Sequence, residues 1–275
     1  MGTYSTALLE ELRQRAKSVR RHIVTMVAAA GSGHPAGSLS ATDLMVTLYF
    51  HQLRHRPEDP AWPDRDRFIL SKGHCAPVLY ATLAEAGYFS KDMLLTLRRP
   101  DSPLQGHPEL GKPPGVEMTT GSLGQGFSVA IGLALAAKLD KKPWRVYVML
   151  GDGESQEGQV WEAAMFAAYH KVDNLTAILD RNHMQNDGHM EEILEIEPVA
   201  EKWRAFGWHV VEIDGHDFVQ ILDAFAEARE VRGKPTIIVA ETVKGKGVSF
   251  MEGNPDFHGK APSKEQLAQA LAELA

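Results

Sequence analysis

Between residues 145 and 240, short apolar runs alternate with amphipathic segments, and this alternation constrains the fold more than any other feature of the sequence. The runs predict strands and the segments predict helices, at the spacing of βαβ units. Such units build a parallel sheet covered by helices. Strands are predicted at 145–150, 175–180, 208–213 and 236–240, and helices at 159–170, 198–206 and 217–231. We therefore predict an α/β protein with a doubly wound parallel sheet and helices on both faces.

The remainder of the chain is predicted to be mostly helical. Helices are predicted at 4–30, 42–53, 76–86, 123–139 and 263–275, the last with a Ser-x-x-Gln capping pattern, and a strand at 67–70. The segment 100–121 is rich in proline and glycine and long for a loop, which indicates a function or disorder. Because no repeat or linker interrupts the pattern, we expect residues 1–275 to form a single domain.

Charge and cysteine content exclude several classes of protein. The net charge of -7 argues against binding to nucleic acid or to an anionic membrane. The one cysteine, Cys75, excludes an intrachain disulfide framework and fits a reducing compartment. No apolar run reaches the length of a membrane span. We expect a soluble cytoplasmic protein without nucleic-acid or membrane partners.

Two polar residues follow neighbouring predicted strands. Asp152 lies between Gly151 and Gly153 after the strand 145–150, and Asn182 follows the strand 175–180. Ligands of open α/β sheets bind at this end of the strands. One carboxylate, one amide oxygen and a nearby carbonyl would give Mg²⁺ a partial shell, which ligand phosphates and water complete. The sequence therefore predicts a magnesium site, although the Asn182 amide alone also fits a turn residue at a strand end.

Four of the twelve histidines have a distinctive setting. His34, His74, His107 and His258 each adjoin a glycine in irregular backbone, where ligand-binding groups tend to occur. Their imidazoles could exchange protons or hydrogen bonds with a sugar substrate near neutral pH. A structural or surface role is expected for the others, which are His22, His51, His55, His170, His183, His189, His209 and His216.

Three further features receive structural interpretations. Cys75 adjoins His74 without a visible third partner, so packing is favoured over catalysis. The acidic cluster is expected to be a solvated face; it comprises Glu191, Glu192, Glu195 and Glu197. The aromatic residues Trp161, Phe166 and Tyr169 are expected in the core or at an interface.

Longer motifs occur in order along nearly the whole chain. They are Ser32-Gly33-His34-Pro35, Ser71-Lys72-Gly73-His74, Gly106-His107-Pro108-Glu109, Thr120-Gly121-Ser122-Leu123-Gly124-Gln125-Gly126, Gly151-Asp152-Gly153-Glu154-Ser155-Gln156-Glu157-Gly158, Lys244-Gly245-Lys246-Gly247 and Phe257-His258-Gly259-Lys260. With Asn182, this set resembles the motifs of transketolases, which are thiamine diphosphate enzymes. The resemblance implies the diphosphate-binding domain of that fold and binding of thiamine diphosphate with Mg²⁺.

The resemblance also implies roles for individual residues. Asp152 and Asn182 would bind Mg²⁺ through side chains, and Met184 through its carbonyl. The cofactor would contact His74, Gly121, Leu123, Gly151, Gly153, Asn182 and His258. The catalytic set would comprise His34, His74, His107, His258 and Glu157. Within that set, His34 and His107 would line the substrate channel. Glu157 would reach across a dimer to position the cofactor-activating carboxylate of the partner.

The implied reaction moves a two-carbon ketol unit from a ketose to an aldose, as sugars or sugar phosphates. In transketolases the activating glutamate lies on a pyrimidine-binding domain, which this chain does not include. The resemblance therefore implies an α2β2 heterotetramer that contains a separate C-terminal subunit. Ala36 and His183 differ from the residues that are usual at these motif positions, and they leave the identity of the sugar substrate open.

Two alternatives compete with this interpretation. The first is another thiamine diphosphate enzyme, such as the alpha subunit of a 2-oxo-acid dehydrogenase or a deoxyxylulose-phosphate synthase. These enzymes share the Gly-Asp-Gly and Asn residues, but they lack the same residues in the segments around His34, His74 and His107. The second is a non-catalytic protein that only binds the cofactor or assembles with partners.

Overall fold

A five-stranded parallel sheet forms the centre of the protein. The structure is a computed structural model, and it describes residues 2–275. Met1, part of the predicted 1–275 domain, lies outside the described residues. The strands are β1 Arg67–Leu70, β2 Val146–Gly151, β3 Leu175–Arg181, β4 His209–Asp214 and β5 Thr236–Glu241. Their order across the sheet is β1-β2-β3-β5-β4, and every neighbouring pair is parallel. All five predicted strands are confirmed to within one residue at each end.

Ten α-helices surround the sheet in residues 2–275. They are α1 Thr6–Ala30, α2 Pro35–Ser40, α3 Thr42–Thr47, α4 Ala76–Ala86, α5 Gln125–Leu139, α6 Gly158–Tyr169, α7 Met190–Ile193, α8 Val199–Ala205, α9 Phe218–Glu230 and α10 Lys264–Glu273. Although α1 has 25 residues, no helix among them is long and apolar enough to cross a membrane.

Alternating side chains of the strands pack into two separate apolar clusters. On β2, Tyr147 and Met149 join the cluster that includes α1, α3, α4 and α9. The intervening Val146, Val148 and Leu150 join the cluster that includes α5, α6 and α8. Successive side chains of a strand point to opposite faces, so a strand buried on both faces is mostly apolar. The prediction of helices on both faces is confirmed.

Most differences from the predicted elements lie in the N-terminal half; in the C-terminal half, the short α7 was not predicted. The predicted helix 42–53 becomes a π-helix after α3, at Leu48–Gln52. The short α2 was not predicted, and all six of its residues are buried. Tertiary packing therefore supplies the stability that the local sequence lacks.

Residues 100–121 form neither helices nor strands, but they are held against the protein. The Tyr80 hydroxyl on α4 donates to the carbonyl oxygens of Gln105 and His107, at 3.0 and 3.1 Å. At the other end of the chain, the predicted capping box of α10 is present, with Ser263 and Gln266 bonded reciprocally. The Tyr80 contacts hold the backbone at His107 in place, and the capping box fixes where α10 begins.

Candidate functional site

A cavity of about 350 Å³ opens at the carboxyl ends of β2, β3 and β5. We call it the strand-end cavity. The β2–β3 register ends with Gly151 paired to Asp180, so Asp152 and Asn182 follow one and two residues beyond that pair at the same edge of the sheet. Ten residues from the predicted site line this cavity: His74, Gly121, Leu123, Gly151, Asp152, Gly153, Glu157, Asn182, Met184 and His258. Segments that are distant in sequence therefore meet where the strand pattern predicted a ligand.

Asp152 is almost fully buried, and its carboxylate is only partly satisfied. Its Oδ2 accepts a hydrogen bond from the His183 N–H at 2.6 Å and lies 3.2 Å from Nη1 of Arg181. Its Oδ1 has no hydrogen-bond partner among residues 2–275. Burial raises the pKa of Asp152 to about 6, although Arg181 opposes this. A buried carboxylate oxygen without a partner is unfavourable unless a cation or donor from a ligand reaches it.

Asn182 and Met184 are positioned by the loop that follows β3. The Asn182 Oδ1 accepts from the Met184 N–H at 3.2 Å, and its Nδ2 donates to Asp180 at 3.3 Å. In residues 2–275, no group of three or more His, Cys, Asp or Glu side chains is arranged to hold a metal ion. The predicted ligand set contains only one such residue, so a cation here would depend on further oxygens from a ligand.

The four loop histidines converge beside the strand-end cavity. The ring of His34 lies 5.2 Å from those of His74 and His258, and the latter two are 5.1 Å apart, between centroids. His107 lies 6.5 Å from His34, and a Cβ added to Gly121 would stand 3.0 Å from its ring. The Nδ1 of His34 is buried without a hydrogen-bond partner in residues 2–275. Four separate loops thus bring their imidazoles to one place.

All four imidazoles are held neutral. Burial, together with nearby cationic groups, lowers the pKa of His34 to about 4 and that of His258 to about 3. Burial also lowers the pKa of His74 and His107, with Lys72 adding to the effect at His74 and Arg98 at His107. Neutral imidazoles can both accept and donate a hydrogen bond, which suits them to contact sugar hydroxyls.

The His34 pKa predicts a sensitivity of the folded chain to acid. Between pH 6.5, the ordinary value, and about 4, the unfolded chain binds a proton that the folded chain does not. The free energy of unfolding therefore falls as pH falls through this window. We expect the thermal midpoint of His34→Gln to drop less than that of the wild type between about pH 7 and about pH 5. The exposed His170→Gln is the control, and equal acid sensitivity of His34→Gln and wild type would contradict the prediction.

Two lysines that the sequence analysis did not select also line the strand-end cavity. Lys72 forms a fully buried ion pair with Asp180, which also accepts from Ser40 at 2.6 Å and Thr242 at 2.5 Å. The Nζ of Lys244 lies 3.1 Å from His258 Nδ1, and burial lowers its pKa to about 8. Both lysines belong to recognised motifs, which was the signal available in the sequence. The charge of Lys244 suits an anionic ligand such as a diphosphate, whereas that of Lys72 is already paired with Asp180.

Glu154 is a second group that sequence reasoning missed. Its buried carboxylate accepts from the Ser71 hydroxyl at 2.5 Å and from the N–H groups of Gly124 and Gly151, at 2.8 and 3.1 Å. It therefore joins three motifs that surround the strand-end cavity. Glu157, three residues later, is exposed at the rim, where it precedes α6.

The residues interpreted as structural lie outside this cluster. Cys75 is buried, Trp161 stacks on Phe206, and Phe166 and Tyr169 are exposed on α6. Of the acidic cluster, Glu195 and Glu197 are exposed but lie against the buried Arg181. This ion pairing, and with it the role of Arg181 beside Asp152, was not anticipated from the sequence.

The chain is similar to known proteins in both sequence and structure. The family "Transketolase, thiamine diphosphate binding domain" matches residues 12–274. The chain is 47% identical to a 6-deoxy-6-sulfo-D-fructose transketolase subunit of Clostridium sp. (strain MSTE9), and 45% identical to an apulose-4-phosphate transketolase subunit of Actinobacillus succinogenes. Each alignment covers 96% of both chains. The crystal structure of Campylobacter jejuni transketolase superposes with a TM-score of 0.91 at 34% identity, covering 96% of this chain but 43% of the other.

Proposed function

Because the chain belongs to the transketolase family, as its thiamine diphosphate binding domain, we propose that it is the N-terminal subunit of a two-component transketolase. The complex would move a two-carbon ketol unit from a ketose or ketose phosphate to an aldose or aldose phosphate. The chain spans 96% of two relatives named as subunits but 43% of the Campylobacter jejuni transketolase, which supports a division between two chains. The similarities do not favour a 2-oxo-acid dehydrogenase, a deoxyxylulose-phosphate synthase or a non-catalytic role.

The convergence of four neutral imidazoles beside the strand-end cavity is the observation that carries this proposal. His34, His74 and His258 lie within 5.2 Å of one another by ring centroids, although they come from separate loops. Ketol transfer requires proton movements at a carbonyl and at hydroxyl groups, for which positioned imidazoles are suited. Their neutrality allows them to act as acceptors or donors without first losing a proton.

The residues of the strand-end cavity fit thiamine diphosphate together with Mg²⁺. The unpartnered Oδ1 of Asp152, the Asn182 amide and the Met184 carbonyl would supply oxygen ligands to the metal, and the diphosphate would supply others. Lys244 would offset part of the remaining negative charge, while Lys72 is already paired with Asp180. When bound, the cofactor supplies the nucleophilic carbon that the reaction requires. Gly121 and Leu123, which also line the cavity, would contact its pyrimidine ring through backbone groups.

The chain's own residues would then orient the substrate and exclude water. His34 and His107 would bind sugar hydroxyls at the outer end of the cavity, where Arg98 lies close enough to lower the pKa of both. His74 and His258 line the cavity itself and would hold or move protons next to the reacting carbon. Glu154 would keep the surrounding loops in register through its three hydrogen bonds.

An exposed apolar surface on α5 and α6 supports association with other subunits. Leu139, Met165, Phe166 and Tyr169 are 81%, 52%, 47% and 82% exposed. Apolar side chains exposed together in this way are typical of interaction sites. We propose that partner subunits cover this surface in an α2β2 assembly, with the pyrimidine-binding domain closing the strand-end cavity. Glu157, at the rim, would contact the carboxylate that activates the cofactor.

Two further aspects of the proposal concern the chain as a whole. We propose that residues 1–275 act as one cofactor-binding domain, because both apolar clusters pack on the same sheet. The buried free thiol of Cys75 supports a cytoplasmic location, where thiols stay reduced.

We expect the purified chain to lack ketol transfer until a pyrimidine-binding subunit is added. The residue that activates the cofactor would come from that subunit, so the isolated chain would bind ligands without turning them over. Steady-state assays with a ketose phosphate donor and an aldose acceptor, with the two subunits tested singly and mixed, measure this. Full activity of the chain by itself, after removal of contaminating enzyme, would show that the division of labour is wrong. Absence of activity in the reconstituted complex with every ketose tried would instead argue against the reaction.

A further inference from the structure

His216 lies outside the strand-end cavity but is linked to it through the backbone. It lines a second, open cavity of about 640 Å³ on the side of β4 and α9. Its Nδ1 lies 2.8 Å from Oδ2 of Asp43, and its Nε2 lies 2.9 Å from the N–H of Val243. The imidazole therefore connects α3 to the segment that follows β5.

The two contacts determine which nitrogen carries the proton. A backbone N–H can only donate, so the Nε2 that faces Val243 must be the unprotonated acceptor. Nδ1 then carries the hydrogen and donates it to Asp43. Asp43 is itself held by Arg20, which donates to both of its oxygens at 2.9 and 2.6 Å, and both side chains are buried. Through its two hydrogen bonds, His216 thus links the Val243 backbone to the Arg20–Asp43 ion pair.

The residue after Val243 is Lys244, whose ammonium reaches the strand-end cavity. The Lys244 Nζ contacts His258 at 3.1 Å, and the residue is only 3% exposed. On the other side of Lys244, the Gly245 N–H donates to the Ala36 carbonyl at 2.9 Å. Backbone bonds before and after Lys244 therefore set the direction of its side chain.

We propose that His216 is a positioning residue, which holds Val243 so that the Lys244 ammonium stands where the diphosphate of the cofactor binds. The proposal rests on the function proposed above for the strand-end cavity. His216 itself would touch neither cofactor nor substrate. Its removal would act by letting the 243–247 segment move, and the loss would appear as weaker cofactor binding.

Two substitutions separate this role from simple packing. His216→Leu fills the space but removes both hydrogen bonds. In His216→Gln, the amide oxygen can accept from Val243 while the amide nitrogen donates to Asp43. In the cofactor-free chain, we expect faster deuterium exchange of the Val243 amide in the Leu variant and exchange near that of the wild type in the Gln variant. Unchanged exchange in His216→Leu would overturn the proposal.

Calorimetry then measures binding of thiamine diphosphate with Mg²⁺ to the complex of both subunits. We expect about tenfold weaker binding for His216→Leu, the effect of losing about one hydrogen bond, and recovery in His216→Gln. Combined with Lys244→Met, the Leu substitution should cause no further loss, because it acts through Lys244. Fully additive losses would overturn the proposal. His209→Leu, on the neighbouring strand β4 and bonded to Glu227, is the matched control.

The outcomes distinguish this inference from the proposed function. If the wild-type complex fails to bind thiamine diphosphate, the proposed function is wrong. If the wild type binds it and His216→Leu binds equally well, only the positioning role is wrong. Should His216→Leu fail to fold, His216→Asn replaces it, since its shorter amide cannot span both partners. Binding of His216→Asn equal to that of His216→Gln would then overturn the proposal.

Discussion

Replacing Asp152 by asparagine is expected to abolish the coupled binding of Mg²⁺ and thiamine diphosphate, and ketol transfer with it. The proposed site has only three protein oxygens, and Asp152 supplies its one carboxylate. Without that charge, neither metal nor diphosphate can offset the cost of burying the other. We expect more than about 100-fold weaker cofactor binding, since even indirect supports of a metal site can be worth 10–100-fold. Titration of each component alone and of both together measures this coupling.

The Asp152→Asn experiment has a clear control in the same region. Asp187 is exposed, and its carboxylate accepts a hydrogen bond from the side chain of the neighbouring Asn186 at 2.7 Å. Asp187→Asn should therefore bind like the wild type. We also expect Asp152→Asn to fold, because Arg181 keeps its ion pair with Glu197. Tight cofactor binding that ignores Mg²⁺ and survives the substitution would contradict the metal site.

The second large effect is expected at the histidines that line the strand-end cavity. We expect His74→Ala and His258→Ala to lower kcat/KM of the reconstituted complex by about 10²–10⁴-fold, the usual loss when a positioned acid or base is removed. Both variants should also retain the cofactor less well, because His74 lies near Lys72 and His258 contacts Lys244. At His34 and His107, a raised KM with unchanged kcat would indicate uniform substrate binding instead. Steady-state kinetics at saturating cofactor measures these effects.

Surface histidines provide the comparison for this prediction. His170 is exposed at the end of α6, and His209 is partly exposed and pairs with Glu227 at 2.6 Å. Their Ala variants should keep kcat/KM near that of the wild type, with folding of every variant checked by thermal melting. The site assignment is wrong if the cavity variants keep their activity while the surface variants lose it at unchanged stability.

The sequence by itself determined the architecture and the position of the cavity. Strands buried on both faces are mostly apolar, so β2, β3 and β5 were visible as nearly continuous apolar runs. Parallel strands end at one side of the sheet, so Asp152 and Asn182 had to be neighbours once β2 and β3 paired. The Ser263 capping box was predictable for a different reason, because its partners lie only three residues apart in the sequence. The strands and the capping box depend on patterns within short stretches of the sequence.

The tertiary structure alone decided which distant groups meet. No periodicity relates His34, His107 and His258, and only the folded loops bring their rings together. The pairing of Lys72 with Asp180, and that of His216 with Asp43 and Val243, likewise join separate elements. The short α2, which was not predicted from the sequence, is likewise stabilised by packing, since all six of its residues are buried. Local sequence encodes periodic elements, whereas side-chain contacts depend on how packing and loop closure place those elements in space.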